Sequence, residues 1–124
     1  LASVRAAYAY SNAEGSAYNP TCGDRIGVTL RLDDSGQIVE MAHETSACVL
    51  TQASASLLGA NLEGASEESV QKLRAAVGAM LREGEAPAPP FSGYAALSGA
   101  ASFRNRHTCV LLPIDAVLDA LTKR

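Results

Sequence analysis

The feature that most constrains the fold is a stretch with the two-residue hydrophobic period of a β-strand. Its apolar residues alternate with smaller or polar ones: Ile26, Val28, Leu30 and Leu32. The turn-forming sequence Asp33-Asp34-Ser35-Gly36 follows, and a weaker alternation returns over residues 37 to 45. The pattern predicts a β-hairpin, with one face of its sheet covered by helices and the other partly exposed to water.

Helical periods lie on both sides of this hairpin. Residues 1 to 11 are rich in alanine and predict a short first helix that ends near Asn12 and Gly15. After Cys48 the helical period returns, so we expect Cys48 at or near a helix N-terminus. The clearest helix begins after the capping residue Ser66 and ends before Gly84. It has acidic residues in its first turn and an apolar stripe: Val70, Leu73, Val77, Met80 and Leu81.

The C-terminal part is predicted to consist of a loop and two further helices. Residues 85 to 93 carry Pro87, Pro89 and Pro90 and cannot form regular structure. A short helix is expected from Tyr94 to Ala101, and a last one from about Pro113 to Thr122, because proline fits the first turn of a helix. Residues 104 to 109 would link the two. The fold class is therefore α+β, a small antiparallel sheet of about three strands packed against several helices in one domain over residues 1–124.

Composition and charge exclude several classes of function. The net charge is −3, with both signs spread along the chain, so neither nucleic acid nor an anionic membrane is expected as a partner. No apolar stretch approaches the roughly 18 residues of a membrane-spanning helix, and no signal-peptide pattern is seen, so a cytoplasmic protein is the expectation. Three cysteines, an odd number, make a poor disulfide framework and are expected to be thiols.

The three cysteines and one aspartate are the candidate metal ligands. In the sequence Asn19-Pro20-Thr21-Cys22-Gly23-Asp24, a turn lets the Cys22 thiolate and the Asp24 carboxylate converge on one ion. Cys48 begins a helix, where the exposed N–H groups favour a thiolate. Cys109 is expected in a cationic, turn-like segment just before the last helix. Three thiolates and a carboxylate suit zinc and also iron-sulfur chemistry. The spacing alone favours three unrelated buried cysteines over a shared metal site.

Three segments together resemble the cysteine-bearing signatures of the NifU/IscU/SufU group of iron-sulfur cluster assembly proteins. They occur in the same order, as NPTCGD (19–24), CVLTQASAS (48–56) and RHTCVLLPIDAVLDAL (106–121). Two features are similar to the SufU-like branch. The stretch between the second and third cysteines is long, and Thr108 stands directly before Cys109 in place of a histidine. The resemblance implies the SufE/NifU-like form of the α+β fold.

The resemblance also implies a function for the four candidate ligands. In the SufU-like branch, Cys22, Asp24, Cys48 and Cys109 would bind zinc, and a cysteine would accept persulfide sulfur from a cysteine desulfurase. The acceptor would be either Cys22 or Cys109, and the sequence does not decide between them, since both are expected on loops. In the IscU-like branch, the same four positions would assemble a [2Fe-2S] cluster for transfer to recipient apo iron-sulfur proteins. Such a scaffold is not an enzyme in the ordinary sense.

Two hypotheses from other classes remain open. The chain could be a structural zinc-binding interaction domain without sulfur transfer, or a metal-free thiol enzyme with His107 as base. His107 could equally be a solvated residue, and Arg104 and Arg106 could either steer an anionic persulfide or simply be solvated. His43 is expected to pack across strands or lie at the surface. The small residues 53 to 56 predict close packing between helices.

Overall fold

The computed structural model describes residues 13–21 and 23–123. The predicted first helix over residues 1 to 11 lies outside this part of the chain. The described elements, in chain order, are β1 (Ala13–Asn19), β2 (Asp24–Leu32), β3 (Ile38–Ser46), α1 (Val49–Asn61), α2 (Glu67–Glu83), a 3-10 helix (Ser92–Ser102) and α3 (Arg104–Lys123). The strands form one antiparallel sheet in the order β1-β2-β3. The predicted α+β architecture is confirmed.

The predicted hairpin is the pair β2 and β3. The Asp33 carboxylate accepts hydrogen bonds from the backbone N–H groups of Ser35 and Gln37, each at 2.9 Å, and holds the turn together. Gly36 has a φ of 87°, a left-handed conformation that glycine adopts without strain. Turn chemistry and hydrophobic alternation therefore indicate the same hairpin, which explains why the sequence predicts it well.

Strand β1 was not predicted as a separate strand, because its sequence AEGSAYN has little of the β-branched and apolar character of strands. Its place in the sheet depends on packing against α3 instead. A Cβ atom at Gly15 would lie 2.3 Å from the backbone nitrogen of Ala120, so only glycine allows this approach. The N–H of Ser16 also donates to the Asp119 carboxylate at 2.9 Å, which ties β1 to α3.

Helices α1 and α2 begin where the sequence predicts. Cys48 is the N-cap residue of α1. Ser66 is the N-cap of α2, and its hydroxyl accepts from the N–H of Ser69. Gly84, with a φ of 88°, ends α2, and its N–H donates to the Met80 carbonyl. The predicted apolar stripe of α2 is buried in the core.

The segment between α2 and α3 matches its prediction in position. Residues 84 to 91 are irregular, and a 3-10 helix rather than an α-helix occupies Ser92–Ser102. Within it Tyr94 is fully buried, and its hydroxyl lies 2.9 Å from the Ser54 hydroxyl of α1. Burial raises the pKa of Tyr94 to about 12.

The predicted start of the last helix at Pro113 is wrong, because α3 already begins at Arg104. Residues 104 to 109 are therefore helical and not a linker, and Pro113 lies in the helix interior. Proline there cannot donate a hydrogen bond to the carbonyl four residues earlier, which belongs to Cys109. The Thr51 hydroxyl of α1 donates to that carbonyl at 3.0 Å and replaces the missing partner. A contact with another helix thus makes the proline tolerable, and local sequence rules could not reveal it.

The core lies between the sheet and the helices. Helix α3 packs against β1 and β2 and also against α1, α2 and the 3-10 helix. On the opposite face of the sheet, Glu14, Ser16, Tyr18 and Arg25 are exposed, in agreement with the predicted partly wet face. Within the described residues, none of the helices combines the length and apolar character needed to cross a lipid bilayer.

Candidate metal-binding site

Three of the four predicted ligands come together where β2, α1 and α3 meet. One ligand atom from each of Asp24, Cys48 and Cys109 lies within 4.8 Å of the others. Asp24 is the first residue of β2, Cys48 caps α1, and Cys109 lies in the second turn of α3. Cys22, the fourth predicted ligand, falls outside the described residues.

The loop before β2 sets the position of Asp24. Asn19 and Asp24 are paired at the end of the β1–β2 ladder, and the Asn19 carbonyl accepts from the N–H of Gly23 at 2.8 Å. The Asn19 side chain accepts from the N–H of Thr21 at 3.1 Å, an Asx turn that fixes the start of the loop. Gly23 has a φ of 75°, which confirms the expected need for glycine at the bend. The carboxylate therefore starts from a defined backbone position.

The Asp24 carboxylate is almost completely buried, at 5% exposure, and is hydrogen-bonded on both oxygens. Its Oδ1 accepts from the N–H of Cys48 at 3.2 Å. Its Oδ2 accepts from the Thr51 hydroxyl at 3.2 Å and from the Cys109 thiol at 3.5 Å. These contacts orient the carboxylate between the two sulfur atoms, as hydrogen bonds from surrounding residues orient ligands in metal sites.

Cys48 lies on the accessible side of the site. Its backbone is extended, with φ −69° and ψ 169°, and its carbonyl accepts the first hydrogen bond of α1, from Gln52 at 3.0 Å. The side chain is partly exposed, and its Sγ lies 3.5 Å from the Thr51 hydroxyl. A thiol at a helix N-terminus with partial exposure can reach both a bound ion and a molecule in solution.

Cys109 has a different setting from the one predicted. It is 1% exposed and lies within α3, not on a loop before it. The predicted turn-like segment is wrong for the same reason as the predicted helix start, because Pro113 lies inside α3 and does not begin it. Its thiol nevertheless points to Asp24, because its sulfur donates to the carboxylate. Burial makes this thiol a poor contact for a partner protein.

Thr51 is a residue of the site that the sequence analysis missed. Its fully buried hydroxyl contacts Asp24 Oδ2, the Cys109 carbonyl and Cys48 Sγ. A signal was present, because residues three positions apart on a helix share a face, and Thr51 follows Cys48 by three. The small residues 53 to 56 of α1 also form hydrogen bonds, because the Ser54 hydroxyl donates to the Val110 carbonyl at 2.6 Å.

An apolar rim borders the site on its solvent side. We use the term open rim for Cys48 together with Val49 and Phe103, which expose 79% and 60% of their surface. These three residues line one surface cavity together with Arg106. Large exposed apolar side chains that cluster beside a reactive group commonly mark a contact surface.

The two predicted arginines face different surroundings. Arg106 lines the cavity beside Cys48, whereas Arg104 lines a separate cavity with His107, Leu81 and Arg82. His107 is not among the three described residues whose ligand atoms converge. Of Arg104, Arg106 and His107, Arg106 is therefore the one that shares a cavity with Cys48.

His43 packs across strands, which is one of the two positions predicted for it; the other was the surface. It is paired with Val28 and is buried, and its Nδ1 lies 2.7 Å from the Thr45 hydroxyl. Burial lowers the pKa of His43 below its usual value, because the charged ring loses water contacts. His43 is thus part of the packed sheet.

The donor set suits a soft or borderline metal. Two sulfur donors and one carboxylate oxygen are ligand types that zinc accepts, and thiolates are the usual ligands of iron-sulfur clusters. The carboxylate is oriented by three donors and lies next to a buried thiol. The residues present therefore fit such a metal, with a fourth ligand still to be supplied.

The sequence matches the model of the NifU-like N-terminal domain over residues 4–109. The chain belongs to this family. The NifU-like domains include scaffolds of iron-sulfur cluster assembly, so the resemblance of the three cysteine motifs to the NifU/IscU/SufU group is confirmed. Family membership rests on most of the chain and not on the cysteine motifs alone.

Two relatives share about a third of their aligned residues with this NifU-like chain. The iron-sulfur cluster assembly scaffold protein IscU of Streptococcus pyogenes serotype M1 is 32% identical over 106 residues, 85% of this chain and 66% of that protein. The zinc-dependent sulfurtransferase SufU of Bacillus subtilis (strain 168) is 33% identical over 107 residues, 85% of this chain and 71% of that protein. The chain therefore spans about two thirds of the length of these relatives, and the nearly equal identities leave the SufU-like branch a prediction.

Solved structures confirm the NifU-like fold. The N-terminal part of a NifU-like protein from Brucella abortus superposes with a TM-score of 0.86 at 32% identity, covering 94% of this chain and 81% of that one. FiSufU from Fervidobacterium islandicum AW-1 superposes with a TM-score of 0.79, covering 93% of this chain and 84% of that one. Its identity is 20%, so this likeness concerns the fold alone.

Proposed function

We propose that this NifU-like chain is a scaffold or sulfur acceptor of iron-sulfur cluster assembly, in which Cys22, Asp24, Cys48 and Cys109 hold metal and sulfide for transfer to apoproteins. The observation that carries the proposal is the convergence of Asp24, Cys48 and Cys109 within 4.8 Å. A zinc ion or a [2Fe-2S] cluster would occupy this site, and zinc would there neutralise and orient the thiolates. The 124 residues would form one such domain.

The surroundings of each ligand support different roles. Cys109 is buried and hydrogen-bonded to Asp24, which suits a residue that holds a cargo in place. Cys48 is partly exposed and adjoins the apolar cavity, which suits exchange with another molecule. The carboxylate is the hardest ligand of the set and exchanges more readily than thiolates on a soft metal.

Sulfur would reach the site as a persulfide of a cysteine desulfurase. The thiolate of an acceptor cysteine attacks the terminal sulfur of the donor persulfide, the donor's S–S bond breaks, and the donor cysteine leaves as a thiolate. The step transfers one sulfur atom without net oxidation. Of the two predicted acceptors we propose Cys22, because Cys109 is 1% exposed within α3.

Arg106 and the open rim would help the partner to approach. Arg106 shares the cavity with Cys48, Val49 and Phe103, so a cation lies near the Cys48 thiol. A positive charge favours an approaching anionic persulfide. The apolar side chains supply contact area for the donor protein.

Anaerobic purification followed by metal and sulfide analysis tests the proposal. The chain is then incubated with a cysteine desulfurase, cysteine and iron under reducing conditions, and the analysis is repeated. The proposal predicts one zinc ion per chain at isolation, or iron and acid-labile sulfide after incubation. A separate incubation with desulfurase and cysteine, without iron or reductant, should give a persulfide on Cys22 by mass spectrometry. Cys22→Ser and Cys48→Ser variants serve as controls and should lose metal. A chain that gains neither metal nor sulfur, with wild-type and variant chains alike, would refute it.

A structural zinc domain without sulfur transfer is the second candidate. The name of the Bacillus relative, a zinc-dependent sulfurtransferase, shows that zinc and sulfur transfer occur together in one relative. In this chain the partly exposed Cys48 favours exchange over a closed structural site. Zinc that resists chelators, with no sulfur gained from the desulfurase, would favour the structural candidate.

A further inference from the structure

The Thr51 hydroxyl lies between two acceptors that belong to different ligands. It is fully buried and is 3.2 Å from Asp24 Oδ2 and 3.0 Å from the Cys109 carbonyl oxygen. A hydroxyl has one hydrogen and can donate it to only one of these oxygens at a time. The arrangement therefore offers two hydrogen-bonding states without any change in the backbone.

The second acceptor exists because of Pro113. In a regular helix the N–H of residue 113 would donate to the Cys109 carbonyl, but proline has no N–H. A buried carbonyl without a donor is costly, and Thr51 is the residue of α1 that supplies one. Pro113, four residues after Cys109 in the same motif, therefore explains why the Cys109 carbonyl accepts a hydrogen bond from Thr51.

We propose that Thr51 is a positioning residue that keeps Asp24 exchangeable as a ligand. Its hydrogen is donated to Asp24 Oδ2 when the carboxylate is released from a metal, and to the Cys109 carbonyl when the carboxylate is bound. On release the Cys109 carbonyl loses this donor and the charged carboxylate gains it, and because a hydrogen bond to a charged acceptor is the stronger of the two, the transfer lowers the barrier to exchange. This inference rests on the proposed metal site, and it assigns Asp24 the role of the ligand that opens.

The first test compares Thr51→Val, which keeps the shape and removes the hydroxyl, with Thr51→Ser, which keeps the hydroxyl. Ser56→Ala is the matched control, because Ser56 is exposed on the same helix. The variants are loaded with zinc, and the rate of zinc release to a chromophoric chelator is measured by stopped flow. Thr51→Val should release zinc about tenfold more slowly, since the difference between a hydrogen bond to a charged acceptor and one to a neutral acceptor corresponds to roughly that factor. Thr51→Ser and Ser56→Ala should match the wild type.

The second test uses Pro113→Ala, which restores an N–H donor for the Cys109 carbonyl. The Thr51 hydrogen is then left to Asp24, so zinc release should become several-fold faster, opposite in sign to Thr51→Val. Alanine favours the helix, so this variant keeps the test usable should Thr51→Val fail to fold. Equal release rates in the wild type and Pro113→Ala, or a change in the same direction as Thr51→Val, would overturn the proposal.

Asp24→Ala separates this inference from the proposed function. The metal site itself is contradicted if the wild type binds no zinc. It is also contradicted if the wild type and Asp24→Ala bind zinc equally and release it at the same rate. Zinc release that depends on Asp24 but is unchanged by Thr51→Val contradicts the role of Thr51 alone. The absorption spectrum of the cobalt(II) forms gives an independent measurement, and it should show the same ligand set in the wild type, Thr51→Val and Thr51→Ser.

Discussion

The two sides of the candidate site are built from different kinds of residue. On the inner side, which we call the buried wall, Asp24, Thr51 and Cys109 are each no more than 5% exposed and are joined by hydrogen bonds. On the outer side, the open rim exposes Val49 and Phe103 by 79% and 60%. The wall fixes the ligands through packing, whereas the rim leaves one thiol within reach of solvent. The wall therefore positions the ligands, and the rim gives another molecule access to Cys48.

The largest effect is expected from truncation behind the buried wall. Leu58 is fully buried on α1, so Leu58→Ala should lower the free energy of unfolding by about 3 kcal/mol through the cavity it leaves. Val49→Ala on the same helix is the matched control and should change it by less than about 0.5 kcal/mol. Chemical denaturation of the metal-free chains measures both. Similar losses in the two variants would show that the rim is packed like the wall.

A pH effect of similar size is expected from Tyr94, which is buried behind α1. Its pKa is raised from 10.0 to about 12, chiefly by burial, so the folded state holds the phenol proton more tightly than the unfolded state. The corresponding stability is complete below pH 10 and is lost as the pH rises towards 12, by about 2.5 kcal/mol.

The Tyr94→Phe variant isolates this effect. Phenylalanine does not titrate, so its stability should lack the part of the alkaline decline that the wild type owes to Tyr94. Unfolding curves between pH 9 and 12 supply the comparison. Parallel declines in the two proteins would contradict the burial of the tyrosine hydroxyl against Ser54.

The two serines of the small-residue stretch offer a smaller and closely matched comparison. Ser54 is buried and bonded to the Val110 carbonyl and the Tyr94 hydroxyl, whereas Ser56 is exposed. Ser54→Ala should cost about 2 kcal/mol, because it leaves buried partners unsatisfied. Ser56→Ala should change the stability by under about 0.5 kcal/mol. Thermal and denaturant unfolding of both variants test this, and equal effects would argue against the hydrogen bonds to α3.

The smallest change in stability is expected at the open rim. Phe103→Ser should alter the free energy of unfolding by less than about 0.5 kcal/mol, because the side chain is mainly in water. The rate of sulfur transfer from a cysteine desulfurase should fall several-fold in the same variant, since contact area beside Cys48 is lost. A loss of more than about 1 kcal/mol, or an unchanged transfer rate, would show that the rim is not a contact surface.

The sequence predicted those parts of the fold in which local signals agree. The hairpin β2–β3 and helix α2 have hydrophobic periods, turn residues and caps that all indicate the same structure. Cys48 as a helix cap follows from the same kind of signal. Asp24, Cys48 and Cys109 were singled out as ligands, and their convergence supports that interpretation.

The parts that were not predicted depend on contacts between distant elements. Strand β1 needs glycine at position 15 because α3 lies against it, and its own sequence gives little strand signal. Helix α3 passes through Pro113 because Thr51 satisfies the Cys109 carbonyl across 58 residues of sequence separation. The role of Thr51 has the same cause, since two of its partners, Asp24 and the Cys109 carbonyl, lie in elements that only the fold brings to α1.

Zinc affinity of the wild type and the Cys109→Ser variant tests the central claim most directly. Competition with a chromophoric chelator gives the dissociation constant and the number of ions per chain, and circular dichroism confirms that the variant is folded. Because Cys109 is proposed as a direct ligand, the variant should bind zinc at least about a hundredfold more weakly, more than changes in supporting residues usually cause. A folded Cys109→Ser chain that binds one zinc ion as tightly as the wild type would contradict the claim that the buried wall and the open rim share a single metal.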